Sequence, residues 1–122
     1  MGKLSRTKGA ATEREVVNLH RVMGIKAERV PLSGATRYQS NGEDVDVYAL
    51  GDELAPLLCQ VKRLKGPRGT RGVLKALGEA DALFLRFDAE PGQAATAPTV
   101  VLPWRTWERI VREARRRAKL PG

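Results

Sequence analysis

Asp44 to Arg63, D-V-D-V-Y-A-L-G-D-E-L-A-P-L-L-C-Q-V-K-R, decides how this chain is read. Two short apolar runs, Val45 to Leu50 and Leu57 to Val61, flank Gly51-Asp52-Glu53, a pattern that predicts a β-hairpin with a short loop. Strand side chains alternate between faces, so Asp44, Asp46 and Tyr48 share one side while Val45, Val47 and Ala49 take the other. On the returning strand Gln60 and Lys62 share a face, opposite Cys59 and Val61. A hairpin pivoting near Glu53 sets Asp46 across from Gln60. A carboxylate, an amide oxygen and an ammonium then converge at the end of a twisted sheet.

That combination has a chemical use. A hard divalent cation such as Mg2+ takes oxygen ligands, commonly one or two carboxylates with water and substrate phosphate. A lysine beside it can orient the attacking water and offset charge building on the phosphate. The bland alternative is a solvated sheet face with no chemistry.

The rest of the chain constrains the choice. Its 122 residues suit one domain with a single modest core. The excess of 22 Lys and Arg over 14 Asp and Glu gives a net charge of +8, which points to a polyanionic partner. Two each of Phe, Tyr and Trp are too few for binding single strands mainly by stacking, so contact with the phosphate backbone is expected. Cys59 is the sole cysteine, which excludes an internal disulfide and a cysteine-based zinc site, and its alternation with Gln60 predicts a buried thiol. His20 is the sole histidine, so a multi-histidine or Ser-His centre is not expected. The basic start carries no apolar stretch of a secretory signal, and no run approaches the ~18 apolar residues of a membrane span. A soluble, intracellular, cytoplasmic protein is the expectation.

Residues 1–8 read as a flexible basic arm, followed by a helix from Ala10 or Thr12 to Met23 that buries Val16, Leu19 or His20, and Met23. Thr12 and Glu15 fit a capping box, and Gly24 a helix stop. Lys26 to Pro31 predicts the first strand, and Leu32 to Gly42 a long loop carrying Ser33 and Arg37. After the hairpin comes a cationic turn, Arg63 to Arg71, with Lys65 and Arg68 among its charges. Thr70 to Leu77 predicts a short helix, Ala82 to Arg86 a buried strand and Thr99 to Leu102 a last strand. Pro103 opens a final helix in which Trp104, Trp107, Ile110, Val111 and Ala114 form an apolar stripe, its two tryptophans read as core or helix-packing residues rather than base-stacking ones. The order α-β-β-β-α-β-β-α predicts an α/β fold, a mixed central sheet of about five strands flanked by helices.

The spacing D-x13-Q-x-K from Asp46 to Lys62 is similar to the signature of the PD-(D/E)XK nuclease superfamily. More specifically, K-G-A-A-T-E-R (Lys8 to Arg14), R-V-P-L-S-G (Arg29 to Gly34), D-V-Y-A-L (Asp46 to Leu50) and Q-V-K-R (Gln60 to Arg63) resemble, in order, the motifs of archaeal-type Holliday junction resolvases. The second half of the chain matches only in general pattern.

The resemblance implies a restriction-endonuclease-like sheet and a role for each matched residue. Glu13 would be a helix-borne carboxylate at the metal, Asp46 the central metal ligand and Lys62 the catalytic lysine. Gln60 stands where the family usually has Glu; its amide oxygen still ligates, but one negative charge is gone. Glu43 or Asp44 could supply that charge, though neither aligns with a family ligand. Arg29 and Ser33 match positions beside the scissile phosphate. Lys8, Arg14, Arg29, Arg37, Arg63, Lys65, Arg68 and Arg71 are the candidate DNA contacts.

The implied activity is Mg2+-dependent hydrolysis of phosphodiesters in branched, four-way DNA, with Mn2+ as a substitute ion, serving recombination and repair. A two-fold homodimer is implied as the working unit; Val73, Leu74, Leu77 and the Ala82 to Leu85 strand are candidate contact surface, and each could equally fill the core of the single chain. The alternatives are a restriction- or repair-type DNA nuclease on the same fold and a non-enzymatic basic DNA-binding module. An RNA-binding role is disfavoured by the lack of aromatic-rich strands.

Overall fold

Apolar alternation through the middle of the chain builds a five-stranded sheet in the spatial order β1-β2-β3-β4-β5. The strands are β1 (Ala27–Arg29), β2 (Val45–Val47), β3 (Leu57–Leu64), β4 (Ala82–Phe87) and β5 (Thr99–Val101). Helix α1 (Lys3–Val22) precedes them, α2 (Thr70–Leu77) joins β3 to β4, and α3 (Trp104–Ala118) follows β5. The computed structural model describes residues 3–30, with side chains from residue 9, and residues 44–64, 69–94 and 96–120. Four of the expected site residues, Ser33, Arg37, Lys65 and Arg68, and the side chain of Lys8 lie outside the described residues.

The β3-β4 pair is parallel, with α2 as its crossover, and the other three pairs are antiparallel, giving the mixed α/β sheet that the order of elements predicted. Each face of the sheet has its own core. On one, Val45, Val47, Leu57, Cys59, Ala82 and Phe84 pack with Val16 and Val17 of α1, and Ile110 of α3 joins them. On the other, Leu64, Leu83 and Leu85 meet Leu77 of α2, with Val73 and Ala76 at the margin. Full burial of one such Val or Leu is worth about 1.5–3 kcal/mol, so these two layers dominate the stability of the sheet. Cys59 is the buried thiol its alternation predicted.

Several helical details differ from the sequence reading. α1 begins at Lys3, so the stretch expected as a basic arm continues the helix, and Thr12, expected at a capping box, is a buried residue in mid-helix. The core stripe of α1 is Thr12, Val16, Val17 and the half-buried His20, whereas Leu19 and Met23 face outward. His20 donates from Nδ1 to the Val16 carbonyl at 2.7 Å and sets its ring edge-on to Phe84, a structural use of the single histidine. Gly24 does stop the helix: at φ 81° it takes the left-handed conformation, while the Ile25 N–H returns to the His20 carbonyl and its own N–H to that of Arg21.

α3 departs furthest from expectation. Its inward residues are Thr106, which is fully buried, and Ile110, while Trp104 is 72% exposed and Trp107 48% exposed. The helix is pinned to the sheet at both ends. Near its start, Arg105 binds the Asp81 carboxylate and donates to the carbonyls of Glu79 and Ala80 at 2.9 and 2.7 Å. Asp81 in turn accepts from the Leu58 N–H at 2.8 Å and donates its own N–H to the Leu58 carbonyl at 2.7 Å. Near its end, Arg117 donates to the Leu50 carbonyl and to Glu113. Of the two uses open to the apolar residues of α2 and β4, Leu77 and the strand from Ala82 to Leu85 fill the core, and only Leu74 of that group lies well exposed.

Candidate functional site

The hairpin exists, but its register differs from the sequence reading by one step in the pivot. Val45 pairs with Cys59 and Asp46 with Leu58, which centres the connection on Asp52 rather than Glu53. Shifting a pivot by one residue moves every cross-strand partner by two, so the faces stay as predicted while the pairs slide. Asp46 therefore lies across from Leu58, not Gln60, and is buried.

Asp44 takes the place expected for Asp46. Its N–H donates to the Cys59 carbonyl at 2.8 Å, one residue out of step with the ladder. Its carboxylate then turns onto β3, where Oδ2 accepts from the Val61 N–H at 2.9 Å. The acidic group is thereby fixed between the two candidate residues of the Q-V-K triplet. No rotamer search by a long side chain is needed, because the main chain of β3 holds the oxygen in place.

A cleft of about 320 Å³ opens here, lined by Glu13, Asp44, Gln60, Val61, Lys62, Ala76 and Leu83. Three parts of the chain converge on it: α1 delivers Glu13, the residue just before β2 is Asp44, and β3 delivers Gln60 and Lys62. Ala76 and Leu83 supply an apolar wall from α2 and β4. Arg29 of β1 holds the Glu13 carboxylate at 3.0 Å, orienting it from behind. The cleft and this attached cation thus bring two carboxylates, one amide, one ammonium and one guanidinium together.

The other sequence candidates are dispersed. Arg63 alternates away from Lys62 and pairs with Asp88 at 2.5 Å. Arg14 is an exposed residue of α1 that lines a shallow groove with Glu15 and Asn18, and Arg71 is exposed in the first turn of α2. Among the described residues, no three His, Cys, Asp or Glu side chains gather closely enough to form a metal cage by themselves. The donors at the cleft are instead two carboxylates and an amide oxygen, hard ligands that fit a Mg2+ ion retaining several waters. The sequence signal that could have found Asp44 is the acidic residue just before the strand, where a side chain can take over a main-chain rung. No helix among the described residues is long and apolar enough to cross a membrane. No protein-family model, curated protein or solved structure matches this chain.

Proposed function

We propose that this chain is a metal-dependent endonuclease that hydrolyses phosphodiesters in branched, four-way DNA. The observation that carries the reading is the convergence of Glu13, Asp44, Gln60 and Lys62 on one cleft, from three separate parts of the chain. A solvated sheet face gives no reason for a helix carboxylate to line the same cleft as a strand lysine. The net charge of +8 supplies sequence-independent attraction to the DNA backbone.

Glu13, Asp44 and the Gln60 amide oxygen would hold the Mg2+ ion, with Asp46 as the second carboxylate of β2, two residues along. When bound, the ion supplies Lewis-acid activation of the phosphodiester and a more acidic water. The chain's own residues do the rest. Lys62 meets the phosphate oxygen on which charge accumulates and lowers the cost of that charge. Asp44, locked to Val61, keeps its carboxylate at a fixed height above the strand. Arg29 holds the Glu13 carboxylate in direction through their 3.0 Å contact, and its guanidinium would meet the neighbouring phosphate. Water oxygen forms the new bond to phosphorus as the bond to the departing sugar oxygen breaks.

In this reading the enzyme belongs to the PD-(D/E)XK nucleases, acts inside the cell in recombination and repair, and works as a two-fold homodimer, because paired strands must be cut and two copies bring two such clefts. The test is cleavage of a synthetic four-way junction and a matched linear duplex, with Mg2+, with Mn2+ and with chelator. Metal-dependent cutting of the junction supports the proposal; tight junction binding with no cutting under any of these conditions leaves a DNA-binding module and overturns it. Lys62→Ala is expected to lower the rate at least about 100-fold while retaining junction affinity.

A further inference from the structure

The outward face of α3 carries a repeat that the core does not use. Trp104, Trp107, Val111, Ala114 and Ala118 follow one another at intervals of three, four, three and four residues. That is a heptad seam, the spacing by which one helix packs along another. Every member is exposed, with Trp104, Trp107 and Val111 at 72%, 48% and 37%. Isolated exposed apolar residues call for no explanation, but two tryptophans on a single continuous stripe do.

We propose that this seam is the contact surface of a second copy of the chain, with the two α3 helices antiparallel. It gives the homodimer proposed above its surface and to that extent rests on that reading, although the cleft plays no part in the argument. The direction follows from side-chain volume. The first half of the seam is bulky and the second half small, so an antiparallel pair sets indoles against alanines. A parallel pair would crowd four indoles at one end and leave a gap at the other, and both faults are destabilising.

Charge makes the same choice. Glu108 and Arg115 border the seam on one side, each directly following a seam residue. Antiparallel pairing brings Glu108 of one copy to Arg115 of the second, twice by symmetry. Parallel pairing brings them instead to Pro103 and Ile110, which carry no charge. In the single chain Glu108 holds Arg112 at 3.0 Å, and Arg115 has no ion pair among the described residues. Specific interfaces run from about 1,200 Å² in total, and a seam of about one residue per turn along a single helix is a small interface by that measure, so a dimer of micromolar affinity is expected.

Sedimentation of the whole chain through the micromolar range, without DNA or metal, tests this. Wild type is expected to pass from one to two copies of the 13.4 kDa chain, and Trp107→Glu to remain single with an unchanged circular dichroism spectrum. Glu108→Arg and Arg115→Glu should each weaken association about tenfold, and the double charge reversal should restore it. A wild type that stays single, a Trp107→Glu chain that still pairs, or a double reversal without recovery overturns the proposal. If wild type is single and Trp107→Glu loses junction affinity, the face belongs to nucleic acid. Junction cleavage is measured separately, so failure of the dimer and failure of the nuclease reading are distinct results.

Discussion

The Asp44 carboxylate accepts the Val61 N–H at 2.9 Å, which ends the β2-β3 ladder with a side chain where a peptide would otherwise stand. In an antiparallel pair every second amide of a strand faces the same neighbour. The carbonyl of Cys59 faces β2, so the amide of Val61 does too, and the strand would normally satisfy it from the next rung. Val61 stands between Gln60 and Lys62, so the carboxylate that takes this rung lies beside both of the β3 side chains that line the cleft.

Asp44→Asn keeps an oxygen for Val61 but removes the charge. Its cleavage rate is expected to fall at least about 100-fold, with a melting temperature close to wild type and junction affinity retained. Asp46→Asn changes a buried group and is expected to act on stability as well as rate. Parallel rate and melting measurements on both variants decide which β2 carboxylate carries the chemistry. Full activity in Asp44→Asn would remove it from the site.

Gln60→Glu adds the charge that the amide lacks. Hard-ion affinity rises with the number of anionic ligands, so half-maximal cleavage should occur at lower Mg2+ than in wild type. A Mg2+ titration of both proteins checks this, and an equal or higher requirement in the variant would take Gln60 out of the ligand set.

Much of this was legible from the residues, and the failures have identifiable causes. Thr70 to Leu77 was readable as a helix from its flanking glycine and proline and its apolar spacing, and the parallel β3-α2-β4 unit follows from it. The faces of the hairpin were readable because alternation survives any even slip. The pivot was not, because Gly51-Asp52-Glu53 offers several turn centres and only packing chooses among them. The tryptophans of α3 were grouped with Ile110 on one stripe, for the core or for helix packing, because large apolar residues usually pack. Apolar content cannot say which of two stripes on one helix faces its own sheet, and here Thr106 and Ile110 do.

Glu113 carries the clearest acid-sensitive contact. Hydrogen bonds from Arg116 and then Arg117 pull its carboxyl from an ordinary 4.5 to about 2. A folded pKa below the unfolded one contributes stability that is complete above pH 4.5 and is lost as the pH falls toward 2. Urea unfolding at about pH 6 and about pH 3 should show wild type losing more stability than Glu113→Gln over that interval. Equal losses would mean the pair does not outlast solvent competition.

Gly51 has φ 137°, a backbone region that side chains rarely enter, and a Cβ placed there would come within 2.6 Å of the Arg117 guanidinium. The arginine can withdraw, whereas the backbone cannot. Gly51→Ala is therefore expected to cost about 1–3 kcal/mol, seen as a lower melting temperature, and Gly51→Ala in an Arg117→Ala background should cost nearly as much. A neutral Gly51→Ala would show that the turn relaxes freely.

The two arginine ties of α3 bear on how far apart two incisions would fall. Arg105 fastens the start of the helix to the Asp81 corner, and Arg117 fastens its end beneath the β2-β3 connection. A helix secured at both ends cannot swivel on the sheet that presents Gln60 and Lys62. In a dimer joined through α3, the separation of the two clefts would be a fixed property of the protein, and the junction arms would have to adjust to that ruler.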